Sequence, residues 1–422
     1  MTIPSLSVAD GPLSAPPEPD IVLGTREQLL HLLAEAAEIE HTLMCSYLYA
    51  AFSLKRAGEA GVSPAQGAVL ERWRKTIIAV AVEEMGHLVI VANLTVAVGG
   101  RPHFARPNFP ISPDYFPACV AVRLTAFDAE TLEHFIFLER PQGVEGQDGD
   151  SFEQQDYSRD QARIGLMPSA QDYATIGHLY EAIRANLVAL ERQLGGDMLF
   201  LGDAGAQVGR DVIDLEGVIP ILDLEGATEA IDVVIEQGEG SSTEQEESHY
   251  RHFLAIRDEL AEMTRNDPGF APAWPVADSP VLRRPAEPNG TLFVDHPAAT
   301  GLLDFACASY GLLLRRLVQC FGRTGANRAQ EQKLLMSAAI DMMHVLGDAS
   351  SLLARLPAST TEADVHAGMT FTMLRGMEPL LPGEPERRML AERAADLARA
   401  ARHVMPDAAG KLDKIGETLK TL

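Results

Sequence analysis

Cysteine, tryptophan and positive charge are all scarce in this chain. Its four cysteines, Cys45, Cys119, Cys307 and Cys320, lie far apart. No Cys-x-x-Cys pair occurs, which excludes a zinc ribbon and a thioredoxin-type site. Free thiols in a reducing cytoplasm are the expectation. Lys and Arg number 35 against 60 Asp and Glu, a formal charge of −25. Such a field repels phosphate backbones and anionic lipid, so neither nucleic acid nor a membrane surface is expected as a partner. The first residues offer no basic start and no apolar block, so no signal peptide is expected. No uninterrupted apolar run reaches the roughly 20 residues that cross a bilayer, so no transmembrane helix is expected. Gly-x-Ser-x-Gly and Walker patterns are missing too.

What is present is enough apolar residue for a core: 46% of 422 positions, which rules out global disorder and leaves room for two domains. Leu, Ala and Glu favour helices. Residues 1–24 are rich in Pro and Ser and read as a flexible N-terminus. Helical patterns run over about 25–56 and 64–98, the first opened by Thr25, the second by Ser63-Pro64 and closed by Gly99-Gly100. Five prolines in 101–118 predict an extended loop, and 119–127 alternates like a short strand. A short helix is predicted at 128–139 and a polar excursion at 141–170. Helices are predicted again at about 171–193, 226–237 and 244–264. A Pro-rich linker follows at 265–289. The remainder, 290–422, reads as a helical domain with helices over 296–356, 362–380 and 385–420.

The informative residues are acids where a helix should be greasy. Positions i, i+3, i+4 and i+7 share one helix face. In the first helix the stripe Leu29, Leu33, Ala36, Ala37, Met44, Tyr47, Leu48 and Ala51 contains Glu40, whereas Glu35 and Glu38 fall off it. In the second, Ile77, Val80, Ala81, Leu88, Val91 and Leu94 enclose Glu84 and His87, three residues apart. Glu246 and His249 repeat the spacing on the face of Phe253, Ile256 and Leu260. A carboxylate and an imidazole turned into a core need a partner, and a metal ion satisfies both. Two Glu-x-x-His pairs with single glutamates from two further helices are the ligand set of a carboxylate-bridged dimetal bundle. Mixed oxygen and nitrogen donors suit iron or manganese. Glu181 is favoured as the remaining ligand, with Glu236 and Glu239 as alternates. The opposing reading places Glu84 and Glu246 at stripe edges, paired with Arg72, Arg74 or Arg251.

Residues 77–102, IIAVAVEEMGHLVIVANLTVAVGGRP, resemble the signature of the VioB/RebD-type ferritin-like domain of iminophenylpyruvate dimer synthases. TIGHLYEAIRANL (175–187), AIDVVIEQGEGSS (230–242), ESHYRHFLAI (247–256) and DMMHVLGDASSLLARLP (341–357) resemble it as well. The resemblance implies a ferritin-like fold and oxidative coupling of amino-acid-derived imines in natural-product pathways, with haem associated in some members. It matches Glu40, Glu84, His87, Glu239 and His249, and it sets Gly86 where relatives carry a bulkier residue, opening space beside the metal.

Other side chains carry weaker readings. Tyr47, Tyr49 and Tyr180 are near the ligands, Tyr47 and Tyr180 being the catalytic candidates, although core packing is the commoner role. His41, His178 and His252 adjoin ligands and would orient them. His344, beside Asp341, is a haem-ligand candidate.

Together these readings predict a mainly α protein: a ferritin-like four-helix bundle over 25–264, with a strand and loop insertion at about 101–170, and a C-terminal helical domain. The expected function is a di-iron, or dimanganese, oxidative enzyme using O2 or peroxide on a small aromatic or amino-acid-derived metabolite. The competing readings are a non-catalytic scaffold with a vestigial site and a haem-associated coupling enzyme. Self-association into a homo-oligomer is left open.

Overall fold

The computed structural model describes residues 21–422 apart from 114, 117–119, 153–172, 241–246, 288–289, 324 and 363. Among these the chain forms eleven α-helices and one 3-10 turn. The first is α1 (Arg26–Ser53), begun where the Thr25 side chain accepts from the Gln28 amide. Next comes α2 (Pro64–Ala97), begun by a reciprocal Ser63–Gln66 capping box with Pro64 in its first turn. Gly99, at φ +91°, follows it in a conformation that suits glycine. The two pack along each other as a hairpin.

Then come α3 (Ala129–Leu138), α4 (Ile176–Leu194), the single turn α5 (Gly196–Leu199), α6 (Leu224–Gly238) and α7 (His249–Asn266). Helix α3 packs on α7 and α4 on α6, with α2 touching both α6 and α7. Tyr47, Phe135 and Phe253 bring α1, α3 and α7 together, with ring centroids 4.6–5.2 Å apart.

Helices α8 (Pro297–Cys320), α9 (Arg328–Leu353), α10 (Glu384–Val404) and α11 (Pro406–Leu419) complete the chain. Pairs α8–α9 and α10–α11 pack together, and α9 also meets α1. Buried Arg106, from the loop after α2, donates to Tyr310 on α8 and to the Phe371 carbonyl, tying the first block to the second.

Three expectations change. No strand forms among the described residues of 119–127. Isolated bridge positions at Val120 and Val122 appear there instead, Val122 pairing with Ile111, because that partner segment is the proline-rich loop, which cannot supply a ladder of amides. Residues 365–381 are not helical either: the His366 amide donates to Pro275 and its carbonyl accepts from Ala277, so the chain is extended there, with 367–371 buried and most of 374–381 exposed. The long patterns at 296–356 and 385–420 are each broken into two helices, the second just before Pro406. The apolar content of α2 and α8 is higher than the run-length criterion suggested. Each is long and apolar enough to cross a membrane by composition, yet 72% and 67% of those stretches are buried, as in the core helices of a folded body.

Candidate metal centre

Glu40, Glu84, His87 and His249 are all at most 2% exposed and meet in one pocket. The His87 Nδ1 lies 3.1 Å from Glu84 Oε2 and 3.3 Å from Glu40 Oε2. The His249 Nδ1 lies 3.0 Å from Glu84 Oε1 and 3.7 Å from Glu139 Oε2. Glu84 therefore stands between the two imidazoles, one oxygen toward each, and the rings lie 5.6 Å apart. Two triads result, Glu40–Glu84–His87 and Glu84–Glu139–His249, each offering three donor atoms within 4.8 Å of one another.

Local structure explains the convergence. Glu40 and the Glu84–His87 pair face each other across the α1–α2 hairpin. His249 is the first residue of α7, set there by Ser248, whose side chain caps the Arg251 amide at 3.4 Å. Glu139 is the C-cap of α3 and only 4% exposed. Both single carboxylates are held by phenols: Tyr180 on α4 donates to Glu40, and Tyr47 on α1 donates to Glu139. The outer ring nitrogens are held as well. His87 Nε2 donates to Gln237 Oε1 at 2.9 Å and His249 Nε2 to Glu83 Oε2 at 2.8 Å.

Burial, with the Glu84 charge beside it, pushes the Glu40 carboxyl up to about 8. Desolvation alone would depress His87, but Glu84 and Glu40 outweigh it and raise the imidazole to about 10. His249 is likewise opposed by desolvation and raised well above its ordinary range by Glu84, Glu139 and Glu83. Glu84 is penalised by burial yet lowered on balance by its hydrogen bond to Glu40 and by the two imidazoles. The pocket thus gathers protons on Glu40 and both histidines around an ionised Glu84.

These donors fit a pair of divalent cations. Carboxylate oxygens and imidazole Nδ1 atoms suit iron or manganese. The His249 Nδ1 is buried and makes no hydrogen bond of acceptable geometry despite its closeness to Glu84. Such an orphan among carboxylates is what an ion between them would resolve. Outer hydrogen bonds that fix ring orientation are the usual surroundings of ligating histidines. A crevice of about 10 Å³ lined by Glu139, Tyr180, Gly177, Gly238 and Glu239 borders the Glu139 end of the cluster, with room for one water-sized molecule.

The remaining sequence candidates fall elsewhere. Glu181 points to a partly exposed face and pairs with Arg184 rather than joining the triads, because Tyr180 takes the inward position on α4. Glu236 is exposed. Glu239, the C-cap of α6, accepts from the Gln142 amide at 3.2 Å, its carboxylate filling the space where a side chain at Gly177 would sit. Glu246 lies outside the described residues. Arg72 and Arg74 pair with Glu259 and Glu71, not with Glu84. Gly86 faces Leu215, not the pocket. His41 bonds to the Phe104 carbonyl and Tyr310, Tyr49 donates to the Ala277 carbonyl, His178 is buried on α4 and His252 is half-buried on α7. His344 and Asp341 lie on the exposed face of α9. Glu139 was missed, although it shares a face with Leu132, Phe135 and Ile136 and the in-stripe test that picks out Glu40 applies to it equally.

A family profile described as ferritin-like matches residues 33–258. Dichlorochromopyrrolate synthase of Lentzea aerocolonigenes is 29% identical over 90% of this chain and 39% of its own. The 2-imino-3-(indol-3-yl)propanoate dimerase of Chromobacterium violaceum is 25% identical over 92% of this chain and 37% of its own. The chain thus spans about two fifths of the length of these relatives. The crystal structure of a ferritin-like protein from Caulobacter vibrioides aligns with a TM-score of 0.49 and 16% identity, over 83% of this chain and 100% of that one.

Proposed function

The chain belongs to the ferritin-like family, and from that premise we propose that it is a metal-dependent oxidative enzyme holding two iron ions, or two manganese ions. Its substrate would be a small aromatic, amino-acid-derived metabolite of a natural-product pathway. The observation that carries the reading is Glu84, buried with one oxygen toward each of two imidazoles and flanked by Glu40 and Glu139. The names of the two enzymes similar to it, a synthase and a dimerase of an indolyl imine, support the substrate class and a coupling reaction.

Bound iron or manganese would supply the redox chemistry, taking electrons from the substrate and passing them to O2 or peroxide. The protein's own part is geometric and protonic. Glu84, with one oxygen toward each imidazole, would offer a donor to both ions. Glu40 and Glu139 would supply the remaining carboxylates, each held by a phenol. His87 and His249 present Nδ1 because their Nε2–H groups are already engaged. Tyr47, Phe135 and Phe253 keep water from the α1–α3–α7 side. The crevice lined by Glu139, Tyr180, Gly177 and Glu239 has room for one water-sized molecule beside this end of the cluster.

Elemental analysis of protein grown with iron and manganese is expected to give about two ions per chain, with anomalous density at both triads. The loaded protein is expected to consume O2 or peroxide when given 2-imino-3-(indol-3-yl)propanoate. Protein that arrives metal-free and refuses reconstitution would remove the reading.

A further inference from the structure

The two triads are near-copies of each other. Each has a share of Glu84, one glutamate held by a tyrosine and one imidazole turned inward through Nδ1. They differ in what holds the imidazole from behind. The His249 Nε2–H meets a carboxylate, Glu83, at 2.8 Å. The His87 Nε2–H meets an amide oxygen, that of Gln237, at 2.9 Å. The Gln237 amide cannot trade places with an acid in effect, because its own NH2 donates to Glu216 at 3.2 Å, leaving that negative charge one residue further away.

We propose that Glu83 and Gln237 are positioning residues that make the two metal positions unequal, the one at His249 being the tighter. This rests on the dimetal reading above. A carboxylate behind an imidazole draws its N–H proton outward, enriches the ring and strengthens the inner nitrogen as a donor, and outer partners of this kind are worth about 10- to 100-fold in metal affinity. An amide oxygen, with only a partial charge, does less. Glu83 keeps 38% of its side chain exposed, so solvent screens part of its charge and the expected gap lies near the low end, about tenfold.

The test is an electron paramagnetic resonance titration of metal-stripped full-length protein with Mn(II). In the wild type the first equivalent is expected to give an uncoupled six-line signal, and the exchange-coupled pair only with the second. Crystals soaked with one equivalent should show anomalous density between Glu84, Glu139 and His249. Glu83→Gln makes both partners amides and is expected to close the gap, loosening only the His249 position. Gln237→Glu closes it from the other side by tightening the His87 position, and serves if Glu83→Gln does not fold. Two equal sites in the wild type, or a Glu83→Gln variant that loosens both positions alike, would overturn the inequality while leaving the dimetal reading intact. A wild type that binds no Mn(II) would overturn both.

Discussion

Loading the pocket with metal should expel protons, and the number follows from the residues. In the metal-free protein Glu40 holds its proton up to about pH 8 and His87 to about pH 10, while His249 is raised in the same direction. At pH 7 all three inward atoms are therefore protonated, and each must lose that proton before it donates to an ion. Two ions displace about three protons. Each proton makes the overall binding constant rise about tenfold per pH unit, worth roughly 1.4 kcal/mol. Between about pH 6.5 and 8 the combined affinity for two ions should rise on the order of a thousandfold per unit. Above 8 the slope falls to about two as Glu40 ionises unaided. The assay is addition of Mn(II) to metal-stripped protein in weak buffer containing a pH-indicator dye. If the His249 position fills first, the first equivalent releases about one proton and the second about two. Glu40→Gln, which has no such proton to give, should release one fewer in total. A wild type that releases one proton or none, or whose affinity is indifferent to pH, would refute the protonation pattern drawn from the burial of these groups.

The same protons bear on folding. Glu40 and His87 hold theirs more tightly folded than unfolded, so their contribution to apoprotein stability is complete below 4.5 and 6.5 and is lost as pH rises through about 8 and about 10. Melting temperatures of stripped protein between pH 6 and 9 should fall, and fall less for Glu40→Gln. Removing the phenol that holds each single carboxylate, by Tyr180→Phe or Tyr47→Phe, should loosen the adjoining position about 10- to 100-fold in a chelator competition. Unchanged affinity in both would deny the phenols that role. Away from the pocket, Glu386→Ala strands buried Arg323, whose guanidinium it pairs with between α8 and α10. Because Glu331 remains 3.2 Å from the same guanidinium, urea denaturation should show a loss near about 3 kcal/mol, the lower end for a broken buried pair, with metal affinity unaltered.

Four of the five buried carboxylates and imidazoles that meet in the pocket were legible because each lies in an apolar stripe of a long, well-capped helix, where the period alone fixes direction. Glu139 escaped notice because α3 has only ten residues and the acid sits at its C-cap, just before Arg140-Pro141, where a charged residue ordinarily reads as a solvated end. Glu181 attracted notice through small neighbours, but Ala185 on that face is exposed and the packed side of α4 belongs to Leu179, Tyr180, Ile183 and Leu187. Small residues suggest room without saying on which side. The false helix at 362–380 and the false strand at 119–127 share a cause. In both, the backbone pairs with another loop, and local period cannot report a partner such as Pro275 or Ile111.

The order of the donors along the chain has a bearing on biosynthesis. The Glu40, Glu84 and His87 triad belongs wholly to the α1–α2 hairpin, whereas its twin waits for His249, roughly 160 residues further on. At about 5–20 residues per second a ribosome takes roughly ten to thirty seconds to cover that distance. On the dimetal proposal, a nascent hairpin would during that interval offer the donors of one position, the one proposed to be looser, to whatever ions the cell supplies.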